Sequence, residues 1–100
     1  MELLPEALRS GLPPLYAQEG NSDPTVYIKY FTPDSNWTWY VTEGNHEDDD
    51  FVFFGYVIGF ESEWGYFTLS EIAAARGPRN LPIERDLYFA PTPFSQLTAR

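Results

Sequence analysis

The sequence predicts an α+β fold: one domain, residues 1–100, built on an antiparallel meander of about four strands with a short helix on either side. Three observations predict it. Apolar and polar residues alternate with period two between residues 25 and 69, in runs rich in β-branched and aromatic side chains. The runs are separated by short turn sequences, "TPDSN", "GNHEDDD" and "ESE". Helix punctuation occurs only outside them, in "LLPEALRS" and "TLSEIAAARGP".

In chain order, residues 3–10 suit a short helix, with Pro5 in its first turn, Arg9 late and Gly11 as its stop. Pro13 and Pro14 force an extended passage, and "NSDP" makes a turn. "TVYIKYF" (25–31) places Val26, Ile28 and Tyr30 on one face of a strand. "WTWYVTE" (37–43) places Trp37, Trp39 and Val41 together, and a short turn pairs it with its predecessor. "FVFFGYVIGF" (51–60) is apolar on both faces, as a central covered strand requires. Gly55 and Gly59 within it suit a bulge or the close approach of a ring. "WGYFTL" (64–69) is the fourth strand. In the helix that follows, Thr68 and Glu71 have capping-box spacing, Arg76 suits the last turn, and Gly77 and Pro78 end it. Residues 81–89 read as a short strand or extended tail, and Pro91 and Pro93 end regular structure.

Composition narrows the function. At 43% apolar and 18% aromatic residues, the chain has material for one core. It carries no cysteine, so there is no disulfide framework and no thiolate metal site. No apolar run reaches the roughly 18 residues of a membrane span, and the N-terminus lacks a basic segment followed by an apolar one. These features fit a cytoplasmic protein with no membrane partner. The formal charge is −9, and thirteen of the fifteen acids lie in residues 1–71, where only Arg9 and Lys29 oppose them. Such a surface repels phosphate backbones, which excludes direct nucleic-acid binding and favours encounter with a basic protein surface.

The densest charge is "HEDDD", His46 to Asp50. Clustered carboxylates suit a hard cation, but an EF-hand spaces its ligands alternately, with glycine sixth and glutamate twelfth, and this run does neither. One histidine without cysteine is a thin ligand set for zinc. A solvated hairpin loop that keeps the following apolar strand from pairing with other chains accounts for the run. Contact with a partner comes second and a metal third. Glu61 and Glu63 have the spacing of an acid–base pair, yet they flank a wet turn. No nucleophile elbow and no phosphate loop occurs. No catalytic, cofactor or metal residue is therefore assigned. The arginines Arg76, Arg79 and Arg85 are expected to pair with the domain's own acids, Glu84 or Asp86. The candidate partner-binding residues are the acids Glu43, Glu47, Asp48, Asp49, Asp50, Glu61 and Glu63, together with Trp37 and Trp39 on a sheet face with excess rings.

The strings "LPPLYAQEG", "YFTPDSNWTWYVTEG", "FFGYVIGFESEWGYFTLSEI" and "RGPRNLPIERDLYFAP" resemble a family of short bacterial domains of unknown function, carried on conjugative plasmids, integrative elements and phages. The resemblance spans about residues 12–93, with the loop at 44–50 as its variable part. It transfers no catalytic residue and implies a mobile element in a bacterial cytoplasm. Joined to the charge, it gives the expected function: a non-enzymatic acidic interaction domain, an anti-CRISPR or anti-restriction inhibitor whose carboxylates mimic nucleic acid. The alternative is a plasmid maintenance or transfer adaptor that binds a protein through its aromatic face. A small hydrolase or a divalent-metal protein ranks last.

Overall fold

Alternation is realised as an antiparallel sheet in the computed structural model, which describes residues 1–98; Arg100, part of the charge count above, lies outside the described residues. The first elements are α1 (Glu6–Gly11), β1 (Thr25–Val26), β2 (Ile28–Phe31) and β3 (Thr38–Glu47). They are followed by β4 (Asp50–Ile58), β5 (Ser62–Thr68) and α2 (Leu69–Ala74). Last come β6 (Glu84–Arg85), β7 (Thr92–Pro93) and α3 (Phe94–Thr98). The expected meander is β2 to β5. A fifth strand joins it, giving the order β5-β4-β3-β2-β6. β6 comes from the segment expected to be extended, and it pairs Tyr30 with Arg85 and Phe31 with Glu84.

Several elements differ from expectation. The strand expected over 25–31 breaks at Tyr27: β1 leaves the main sheet to pair with β7, while the Tyr27 N–H still donates to the Val41 carbonyl at 2.8 Å. Pro93 therefore sits inside a strand rather than ending structure. A two-residue strand asks little of its N–H groups, so proline is tolerated there. The third helix follows directly, with the Asp23 carboxylate accepting from both the N–H and the hydroxyl of Ser95 at 2.8 Å. Finally, β3 is longer than expected. It stays paired to β4 through Glu47 and Asp50, and the loop shrinks to Asp48 and Asp49. Asp48 takes a left-handed φ of 51°, a conformation aspartate tolerates better than most residues.

One sheet face carries the main core. Ile28, Tyr30, Trp39, Val41, Phe53 and Phe67 pack beneath Leu4, Leu12, Ile72 and Ile83. The Phe53 ring meets those of Tyr30, Phe51 and Phe67 at centroid distances of 5.9, 5.3 and 5.5 Å. Tyr30 is fully buried, and its hydroxyl donates to the Leu3 carbonyl at 2.7 Å. Burial raises the phenol pKa far above its ordinary range, because the charged form would lose its hydration. α2 starts in the expected capping box, with Thr68 and Glu71 each satisfying the other's backbone N–H. It stops at Ala75, and the Arg76 guanidinium turns back onto the carbonyls of Ala73 and Ala75, at 2.9 and 2.8 Å. Arg85 likewise donates to a carbonyl, that of Glu2. Of the two acids expected to pair with these arginines, Glu84 and Asp86, the latter instead meets Lys29 at 3.9 Å.

The second sheet face carries Tyr40, Thr42, Phe54, Tyr56, Trp64 and Tyr66. It is only partly covered, by Phe89 over Tyr40 and by Phe94 of α3 against Tyr56 and Trp64, at 4.9 and 4.7 Å. α3 thus lies opposite the side on which α2 packs.

Candidate functional site

The site begins with a break in register. Val41 pairs with Gly55, but the next pair on β4 is Phe54 with Glu43, so Thr42 is an extra residue and forms a β-bulge. Strict alternation would aim Glu43 into the core beside Trp39 and Val41. The bulge turns it to the second face, where its partner Phe54 lies. Gly55 makes this possible: a Cβ there would collide with the Tyr40 carbonyl oxygen. Gly59 similarly leaves room for the ring of Trp37.

Glu43 is only 4% exposed. Its carboxylate accepts the N–H of Tyr16 at 2.9 Å and that of Gln18 at 2.6 Å. Asn45 accepts the N–H of Leu15 at 3.0 Å, and the Gly44 N–H donates to the Pro13 carbonyl at 2.9 Å. The proline-bound passage 13–18 is therefore held along β3 by side chains as well as main chain. The Gln18 amide extends the lattice, donating to the carbonyls of Thr25 and Thr42 and accepting the Thr25 N–H. Tyr16 is fixed at a φ of 74°. For a non-glycine residue that costs about 1–3 kcal/mol, which the surrounding bonds offset.

Between residues 16–24 and the sheet lies a cavity of about 340 Å³. Its walls are the rings of Tyr16, Phe54, Trp64 and Tyr66, its floor is Thr42 and Glu43, and its rim includes Glu19, Asn21 and Ser22. Phe54 and Trp64 stack within 13° of parallel at 5.8 Å, and Tyr66 sits 5.0 Å from Phe54. The mouth is open: Tyr16, Trp64 and Tyr66 are 62%, 38% and 56% exposed. Among the described residues no lysine or arginine lines it. The ion pairs among the described residues, Glu6 with Arg9 and Lys29 with Asp86, involve neither Glu43 nor Glu19. The Tyr66 phenol pKa is raised, chiefly by its hydrogen bond with Tyr16, and the charges of Glu43 and Glu19 push it the same way. The cavity is an anionic site walled by π-faces.

Of the residues picked from sequence only Glu43 lines the cavity; the others fall elsewhere, and the set is not brought together. Glu43 is an internal bonding group rather than a surface acid, because the bulge buries it. Asp50 is also engaged: it accepts the hydroxyl and N–H of Ser70 and the N–H of Phe51, tying the hairpin to α2. These bonds, the Ser70 hydroxyl first, lower its pKa. Glu47, Asp48 and Asp49 are exposed at the hairpin tip, beside exposed His46. Glu61 and Glu63 are exposed at the far end of β4, about 25 Å away by strand rise. The two acidic turns therefore cannot form one site. Trp39 is a core residue, 9% exposed. Trp37 is half-buried between Trp39 and Phe60, at 5.8 and 5.4 Å. Among the described residues no group of three or more metal-ligating side chains converges. No helix among them is long and apolar enough to cross a membrane.

Sequence reasoning missed Tyr16, Gln18, Phe54, Trp64 and Tyr66 as a set. One signal pointed to them: an acid, Glu43, standing where the alternation Trp39, Val41 demands an apolar residue, near a glycine on the neighbouring strand.

An α+β domain with an open, aromatic-walled anionic cavity on one face of a five-stranded antiparallel sheet is the class that this fold and site define. The chain belongs to the family described as Protein of unknown function (DUF2958), whose model matches residues 3–99. No curated protein and no solved structure matches it.

Proposed function

We propose that this domain acts without catalysis, as an acidic interaction module that binds a basic surface of a protein partner. The observation that carries the reading is the cavity: four rings around a buried carboxylate that no cation among the described residues neutralises. The exposed acids of the hairpin tip add long-range attraction, which speeds encounter with a positive surface more than it tightens the complex. The resemblance to domains of mobile elements supports a finer reading. In it the partner is a nucleic-acid-handling defence enzyme of the bacterial cytoplasm, and the carboxylates occupy a channel built for phosphates.

The test is a pull-down with the tagged protein from a lysate containing active CRISPR and restriction enzymes, at low and at high salt. Capture of an identified nuclease or effector subunit at low salt, its loss at high salt, and its loss when Glu47, Asp48 and Asp49 are all changed to lysine are the expected results. Asp50 is left intact because it bonds internally. A partner that survives high salt and the lysine variant, but is lost from Trp64→Ala, would replace the acidic inhibitor with the second reading, an adaptor working through the rings around Trp64. Capture of neither kind of partner overturns the proposal.

A further inference from the structure

We infer that the cavity between residues 16–24 and the sheet is a seat for a single arginine side chain, presented by the partner proposed above, on which this inference rests. The floor supplies the charge. A carboxylate has about four lone-pair positions, and two of those on Glu43 are taken by the N–H groups of Tyr16 and Gln18. Glu43 lines the cavity among rings, where a cation gains more than it would in bulk water. The walls supply the surface. Phe54 and Trp64 lie nearly parallel, and Tyr66 stands tilted beside Phe54. Flat faces of this kind take a planar guanidinium, which stacks on rings while its fork meets a carboxylate.

Other cations fit less well. An ammonium group is a compact, strongly hydrated point charge with no flat face to lay against the rings. A quaternary ammonium asks for a closed cage of rings, and here three of the four rings are more than a third exposed. An open mouth suits a guanidinium, whose remaining donors stay hydrated. At about 340 Å³ the cavity lies at the small end of ligand sites, roughly 300–1,000 Å³, which favours one side chain over a folded peptide. The strained φ of Tyr16 gains a purpose as well: it carries the Tyr16 ring to the mouth, against Tyr66.

The test needs no partner. The ¹⁵N-labelled protein is titrated with N-acetyl-arginine methylamide and, separately, with N-acetyl-lysine methylamide. The expected result is saturable shifts of the Trp64 indole N–H and of the Tyr16 and Gln18 amides, with the indoles of Trp37 and Trp39 unmoved. The arginine probe should bind at least about fivefold more tightly than the lysine probe, and Trp64→Ala and Tyr66→Ala should each weaken it by about fivefold while keeping a cooperative thermal transition. Equal binding of the two probes overturns the assignment, as do shifts centred on the hairpin tip or variants that bind unchanged. Arginine binding without any captured protein would uphold the seat and sink the partner reading. Partner capture that ignores both ring variants and also the probe would do the reverse.

Discussion

The carboxylate of Glu43, on a bulged strand, holds the main-chain N–H of Tyr16 at 2.9 Å and so fixes a loop 27 residues earlier in the chain. With the second bond to Gln18, this one side chain satisfies two N–H groups that have no ladder to join. Glu43→Ala leaves both unpaired, at roughly 1–3 kcal/mol each, so urea unfolding should show a loss of about 2–6 kcal/mol. Glu43→Gln should fall between, since its amide nitrogen would set a donor against a donor. A loss under about 0.5 kcal/mol for the alanine variant, the range of an ordinary surface change, would mean the loop is held by something else.

Asp50 makes stability depend on acid. Its bonds from Ser70 and Phe51 hold its folded pKa below the ordinary 3.8. A carboxylate depressed on folding contributes fully above its unfolded pKa and loses that contribution as pH falls through the folded value. The thermal midpoint should therefore bend downward below about pH 4, and Asp50→Asn should flatten that limb while lowering the midpoint at neutral pH. An unchanged acid limb in the variant would remove Asp50 from the account.

Gly55→Ala should be among the most damaging single-methyl additions in the protein. The new Cβ points at the Tyr40 carbonyl, a backbone atom that cannot swing aside as a side-chain tip can. A cost of about 3 kcal/mol, the upper end for overpacking, is expected in chemical denaturation, together with lost amide shifts across the bulge at Thr42. A well-folded variant of wild-type stability would show that β3 can straighten.

The hairpin tip should behave in the opposite way. Asp48 has a left-handed φ of 51°, so Asp48→Gly should be neutral or stabilising, whereas Asp48→Val should cost about 1–2 kcal/mol. Replacing Glu47, Asp48 and Asp49 by lysine together should keep the cooperative melt. If that variant fails to fold, the tip has a structural duty and its charges are no free surface.

Much of the fold was legible because it rests on local rules. Alternation in "TVYIKYF", "WTWYVTE" and "WGYFTL" marks strands, and Thr68 with Glu71 marks a helix start, each within a few residues. β6 was legible only as a short strand or extended tail over 81–89, since two charged residues, Glu84 and Arg85, carry no period that would assign it to the sheet. The pairing of β1 with β7 was not legible, since it joins Thr25 to Pro93 across most of the chain. The site was the least legible part. Period two puts Glu43 beside Val41, and only the extra residue Thr42 moves it to the other face. Tyr16 and Gln18 sit in a stretch that reads as a proline-bound connector, and their meaning comes from an acceptor 25 to 27 residues away. By contrast Trp39 reads as a binding aromatic and is a core ring, because a small domain fills its interior with large side chains.

The bonds from Glu43 also set an order of events. Residues 13–18 dock on β3 through bonds that need the β3–β4 bulge in place, so this segment is expected to be the last wall of the cavity to arrive during folding and the first to leave. Its opening is expected to break the hydrogen bonds to Glu43, Asn45 and Gly44 while the core between Phe53 and Ile72 stays packed, a local transition separate from global unfolding. The Tyr16 and Gln18 amides should then exchange with solvent faster than those of the β3–β4 ladder yet slower than a free loop, and any occupant of the cavity should slow them further. Their exchange rate is a clock for the gate of the site.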